Sequence, residues 1–268
     1  MPIAPGERPL VCGIIPARME SRRLPGKPLR PILGQPMIGW VYRRAREAAA
    51  LDRLIVATDS EQILSYCLDN AFAAVMTSSG HSSGTDRLVE VMEQEAAAGR
   101  AADIYVNIQG DEPMVTAAHI DLLLAVFQAQ TGSPETVQVS TLKVAISSEA
   151  AFDPNAVKVV TDSQDRALYF SRAPIPYDRG GSGRAKYHKH LGYYAYTADA
   201  LRLFRSLAPS PLEQSEGLEQ LRFLENGIPI AVLETDQDTI GVDTEEDLLR
   251  VEEYLRRTVP DMDAGHTG

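Results

Sequence analysis

The chain has 268 residues, 44% hydrophobic and 24% charged, with 37 acids against 26 lysines and arginines for a net charge of −11. Such a composition fits a globular protein of one large or two small domains, and the acidic balance argues against a nucleic-acid binder, which carries a broad basic face. Cys12 and Cys67, the only cysteines, sit in apolar segments and do not make a disulfide frame; no uncharged apolar run nears the ~20 residues of a membrane span, and MPIAPGERPL at the start lacks the apolar centre of a signal peptide, so a cytoplasmic location is expected.

Residues 1–9 are expected to be a loose leader. Residues 11–15 are apolar and β-branched, which predicts a buried strand ending at Pro16. The loop beyond it carries Arg18, Arg22, Arg23, Lys27 and Arg30 against the one acid Glu20. Two like charges ~4 Å apart repel by roughly 4 kcal/mol at an effective dielectric near 20, and exposed ion pairs return only ~0–1 kcal/mol. Such a loop is a poor stability device but a good seat for an anion at the carboxyl end of a strand. It is not a Walker loop, having Ser21 and Pro28 where that motif needs Gly and then Ser or Thr, and it lacks the G-x-G-x-x-G spacing of dinucleotide binders.

A turn at 32–35 precedes Pro36, a good first helical residue. Met37, Ile38, Val41, Ala45 and Ala48 then keep helical spacing. A second strand is predicted at 54–57, a helix burying Ile63, Leu64, Cys67 and Leu68, and a third strand at 73–76. The stretch 77–87, TSSGHSSGTDR, is either a connector or a loop whose backbone can approach a ligand closely. Thr85 is a predicted N-cap for the helix that follows. A strand at 103–108 runs into Gln109-Gly110-Asp111-Glu112-Pro113, an acidic turn that is either merely solvated or at a ligand-facing strand end. A helix at 116–130 and a strand at 137–144 complete a β-loop-helix series that predicts a parallel α/β sheet.

Then the pattern changes. Residues 156–161 and 167–171 predict a hairpin, and 187–197, YHKHLGYYAYT, an aromatic strand. Ser210-Pro211-Leu212-Glu213 is a capping box opening a helix through Asn226, closed by Gly227. After a strand at 229–233, Asp243 and Thr244 lead into a final helix with Leu248, Val251 and Leu255 inward; Thr244 is its predicted N-cap, with Asp247 at N3. The tail from Pro260 is expected to be disordered.

Six motifs in order, PAR…S-x-R-LPGKPL, H-x-S-G-T-D-R, QGDEP, YFSRAPIPYDR with HLGYYAY, SPLE…LEQLR and GVDT-x-EDL, resemble the 3-deoxy-D-manno-octulosonate (KDO) cytidylyltransferases over about 10–257. The resemblance implies a three-layer nucleotide-diphospho-sugar transferase-like α/β fold, one domain, its mostly parallel sheet carrying an antiparallel β insert near 155–200. It implies CMP transfer from CTP to KDO with Mg2+ as cofactor, and a homodimer through the insert. By resemblance Arg18, Arg23 and Lys27 hold the triphosphate. Ser83, Gly84, Arg87 and Gln109 contact the nucleotide, Asp111 and Asp243 hold the metal, and Arg172, His190, Tyr194, Glu219 and Gln220 face the sugar. Arg22 stands where the family has a small residue and receives no role. A core role for Tyr194, and a solvated face for Glu219 and Gln220, stay open from the residues alone. The alternative substrates are 8-amino-KDO and sialic acids.

Overall fold

A computed structural model describes residues 8–21, 23–81, 83–128, 137–181 and 183–259; Arg22, the leader to residue 7 and the tail from Pro260 fall outside them. The first strand, β1 (Val11–Ala17), continues past the predicted stop: Pro16 pairs with Ala57, since one missing donor interrupts a ladder without ending it. Its side chains alternate between two apolar layers, Val11 and Ile15 in one, Cys12 and Ile14 in the other. That double burial is why the strand is an apolar run and not an alternating one.

In chain order, β1 is followed by the short ribbon β2 (Pro31–Ile32) and β3 (Gln35–Pro36), then α1 (Met37–Arg46), β4 (Arg53–Thr58), α2 (Glu61–Asp69), β5 (Ala74–Met76) and α3 (Gly84–Ala97). Next come β6 (Ile104–Asn107), α4 (Ala117–Gln128), β7 (Val139–Ile146), β8 (Lys158–Thr161), β9 (Ala167–Ser171) and β10 (Tyr187–Thr197). The chain closes with α5 (Ala198–Ser206), α6 (Pro211–Glu216), α7 (Leu221–Glu225), β11 (Ile230–Thr235) and α8 (Glu245–Thr258). Among the described residues the main sheet runs β11-β7-β10-β6-β1-β4-β5, with the antiparallel β8–β9 hairpin attached to β10. The pairs β1–β4, β1–β6, β4–β5 and β7–β11 are parallel, and β10 is antiparallel to both β6 and β7. Side chains of α1, α2 and α4 cover one face and those of α3, α5 and α7 the other, giving three layers. A third apolar cluster joins α8 to Leu24, Trp40 and Met114, so the last helix docks on the cationic loop. No helix among the described residues is long and apolar enough to cross a membrane.

Five further expectations need correction. Leu68, predicted inward on α2, is 60% exposed. Pro36 is not the first helical residue; it is the N-cap of α1 and pairs with Pro31. Ser83, not Thr85, caps α3, because its hydroxyl accepts from Asp86 N at 3.1 Å. The helix expected from 211 to 226 is two helices: Gly217 takes a left-handed conformation (φ +65°) and ends α6, leaving Glu219 and Gln220 in the link before α7. The 116–130 helix is described as far as Gln128, and β7 starts two residues later than predicted. The cap at Thr244 with Asp247 at N3 and the hairpin about 162–165 are as expected, and of the Ser210 box the bond from Ser210 N to Glu213 Oε2 forms at 3.0 Å while the Ser210 hydroxyl has no partner among the described residues.

Candidate active site

Three loops meet at the carboxyl ends of β1 and β6. In the first, Gly26 supplies a left-handed turn (φ +67°) that Lys27 follows at the start of a short 3-10 turn. In the second, Gly110 passes so close to β1 that a Cβ there would lie 2.6 Å from the Pro16 carbonyl oxygen. Only glycine allows this approach, and it delivers Asp111 to the cationic loop. The third, 238–243, is stitched to the second by Val242 N donating to the Asp111 carbonyl at 2.8 Å.

The result is a charge bridge. Lys27 Nζ lies 2.7 Å from Asp111 Oδ2 and 3.0 Å from Asp243 Oδ1, and Arg23 pairs with Asp243 Oδ2 at 2.7 Å. Burial works to lower the Lys27 pKa, but Asp111 and Asp243 together raise it above its ordinary value, so the ammonium stays charged. Two carboxylates 132 positions apart thus face one point beside Lys27. They offer hard oxygen donors, the donor type magnesium takes from one or two carboxylates with phosphate oxygens completing its shell. No cluster of three or more His, Cys, Asp or Glu with metal-binding geometry occurs among the described residues. Arg18 is exposed at the end of β1.

From this bridge a cleft of about 890 Å3 opens, its lining including Arg23, Gly84, Gln109, Asp111 and Asp243. Arg172, His190, Tyr194, Glu219 and Gln220 line the same cleft. Gln109 Nε2 donates to the Gly192 carbonyl at 3.3 Å across the gap to β10. Arg172 is anchored by Nε on the Glu216 carbonyl and Nη1 on the Pro154 carbonyl. The Thr141 hydroxyl gives its one proton to the Tyr193 carbonyl at 2.7 Å, so His190 Nε2, 2.9 Å away, donates to that hydroxyl and Nδ1 remains an acceptor. Burial, with Lys189 adding to it, pushes the His190 pKa down to about 3. Burial also keeps the Tyr194 phenol well above its ordinary pKa, so it stays a hydroxyl. The Glu219 carboxyl is raised by burial, against the opposing hydroxyls of Thr85 and Ser83; that contact ties the start of α3 to the link between α6 and α7.

Arg18 and Ser83 lie outside the cleft lining, Lys27 joins it only through Asp111 and Asp243, and the fourth predicted residue outside it is Arg87. It is buried, held by Thr77 and by Asp59 at 2.7 Å, and is not in the cleft lining. Other lining groups were not singled out from the sequence: Asn107, Glu112, Lys189 and Thr239. The Thr239 hydroxyl donates to Glu112 Oε2 at 2.8 Å, and Lys189 Nζ donates to the Thr239 carbonyl at 2.7 Å, fixing the 238–243 loop. Only Asn107 left a signal, as a polar residue closing the apolar strand IYVN.

Comparison with known proteins agrees with this architecture. A family model described as Cytidylyltransferase matches residues 12–235. A 3-deoxy-manno-octulosonate cytidylyltransferase of Acidobacterium capsulatum is 54% identical over 245 residues, 91% of this chain and 96% of the relative; that of Koribacter versatilis is 52% identical over 243 residues, 91% and 89%. The solved structure of a CMP:2-keto-3-deoxy-manno-octonic acid synthetase complexed with CTP superposes with a TM-score of 0.86 at 43% identity, covering 93% of this chain and all of that one. The fold is the nucleotide-diphospho-sugar transferase-like α/β fold, and the chain belongs to the 3-deoxy-manno-octulosonate cytidylyltransferase family.

Proposed function

We propose that this protein transfers CMP from CTP to KDO, giving CMP-KDO and pyrophosphate and so activating KDO for lipopolysaccharide core synthesis. The observation that carries this reading is the Lys27 bridge between Asp111 and Asp243 beside a cleft whose lining also includes Arg172, His190 and Tyr194. Arg18, Arg23 and Lys27 bind the triphosphate, and the two aspartates hold Mg2+. Held there, such an ion would supply charge neutralisation for the pyrophosphate leaving group. Lys27 swaps its aspartate partners for phosphate oxygens and stabilises the charge that develops as the anomeric hydroxyl of KDO attacks the α-phosphorus. Ser83 and Gly84 contact the nucleoside, and Arg87, locked to Asp59, steadies α3 behind them. Arg172 can pair with the sugar carboxylate, while neutral His190, Tyr194, Glu219 and Gln220 read hydroxyls. Catalysis then comes from positioning and electrostatics, with no residue cast as general base. The enzyme works in the cytoplasm as a homodimer through 155–200, where Leu168 and Tyr177 are exposed.

Pyrophosphate release, measured over CTP, UTP and ATP with KDO, 8-amino-KDO and N-acetylneuraminate, tests the reading. Release is expected with CTP and KDO and should require Mg2+. Activity with N-acetylneuraminate alone would replace the sugar, and activity without a divalent cation would remove the metal. Sedimentation as a monomer at micromolar concentration would remove the dimer.

A further inference from the structure

Asn107 closes β6, whose preceding residues are Ile104, Tyr105 and Val106. Its side chain is only 3% exposed and lines the cleft. Its strand neighbours are Ile14 on β1 and Tyr194 on β10. A buried amide oxygen nearly always has a donor, yet Asn107 Oδ1 has no hydrogen-bond partner among the described residues. The same holds in reverse for Gln220 Nε2, 7% exposed on the same cleft, which has no acceptor. Burying such a group unpaired is costly, and an apolar residue of the same size would avoid the cost. Packing therefore does not account for an amide at this position.

We propose that Asn107 is a specificity-determining residue that binds a hydroxyl of the acidic sugar. The inference rests on the cytidylyl-transfer reading above. An orphan acceptor needs a proton, which a phosphate group at neutral pH does not reliably offer. An orphan donor on the same cleft needs a lone pair. Sugar hydroxyls supply both, and the direct register of Asn107 with Tyr194 places the amide on the wall that carries the other sugar-side groups. With sugar bound, the amide oxygen has a protein-side or ligand hydroxyl as its partner.

Asn107→Leu, nearly isosteric, separates a sugar-reading role from a structural one. The expected result is a KM for the sugar raised about ten- to a hundredfold, the worth of one hydrogen bond to a buried group. The KM for CTP should stay unchanged, and the Tm of the substrate-free protein should be equal or higher. Asn107→Ser, which keeps a small polar group, should recover part of the sugar KM and decides the matter if the leucine variant does not fold. A lowered Tm with the sugar KM unchanged makes Asn107 structural and overturns the proposal, and so does a rise confined to the KM for CTP. An unaltered enzyme that turns over none of the acidic sugars sinks the reading and this inference together. An active parent with kinetically unchanged variants sinks the inference alone.

Discussion

The two walls of the cleft are built on different principles. The phosphate wall consists of long charged side chains on loops, with Arg23 and Asp243 about half exposed, held together by one another. Apart from the exposed Arg172, the sugar wall consists of largely buried polar groups on β10 and on the link between α6 and α7, held by the sheet and by a buried ion pair. Arg222 donates to Glu213 through Nε at 2.8 Å and Nη2 at 2.5 Å, with Phe204 stacked 4.0 Å beneath the guanidinium. Exposed pairs add little stability and exchange partners readily, whereas a buried pair is costly to break. The phosphate wall can therefore hand its charges to a ligand. The sugar wall is a fixed template.

If that contrast holds, substitutions on the two walls should fail in different ways. The largest effect is expected for Lys27→Ala and Asp111→Ala, each lowering kcat by about a hundredfold or more, the range for losing one electrostatic group at a reacting centre. Circular dichroism and Tm should stay near those of the parent; normal pyrophosphate release by either variant would remove its assigned role. Glu213→Ala should do the opposite. Leaving Arg222 buried and unpaired is expected to cost about 3–5 kcal/mol of stability, read as a lower urea midpoint, and the KM for the sugar should rise with it. A variant as stable as the parent would mean the sugar wall is not held from behind.

The smallest effect is a pH dependence. The folded pKa of His190, about 3, lies below its ordinary value of 6.5. Between those values the unfolded chain takes up a proton that the native state does not, so stability is full above about 6.5 and falls as the pH drops towards 3. His119, whose pKa burial also lowers, acts in the same direction. The Tm should therefore be lower at pH 5 than at pH 7.5, and His190→Gln should flatten that slope without abolishing it. An unchanged slope in the variant would place the His190 ring in a wetter setting than the one described.

Much of this molecule is legible in the chain because local rules decide it. The apolar run of β1, the cap at Thr244 and the bond from Ser210 N to Glu213 each follow from a few neighbouring residues. The cap of α3 was misplaced by two positions because Ser83 and Thr85 carry the same chemistry, and only a hydrogen-bond geometry distinguishes them. The break at Gly217 was missed because one glycine inside a helical pattern is ordinarily tolerated. On the site, the cationic loop is visible as a charge anomaly, but the meeting of Asp111 with Asp243 is set by Gly110 and the 238–243 loop. Composition and spacing do not reveal it; the family resemblance did. The orphan amide of Asn107 is a statement about missing partners, and no stretch of sequence displays those.

The place of β10 has one more consequence. Its partners, β6 and β7, are complete by residue 146, yet neither can pair across the gap until residue 197 has been made. During synthesis β6 therefore presents an open edge, and β7 has no neighbour, for some fifty further residues. The strand that seals this edge is the one that carries His190 and Tyr194. A newborn chain thus acquires its sugar wall and loses its most adhesive surface in the same event.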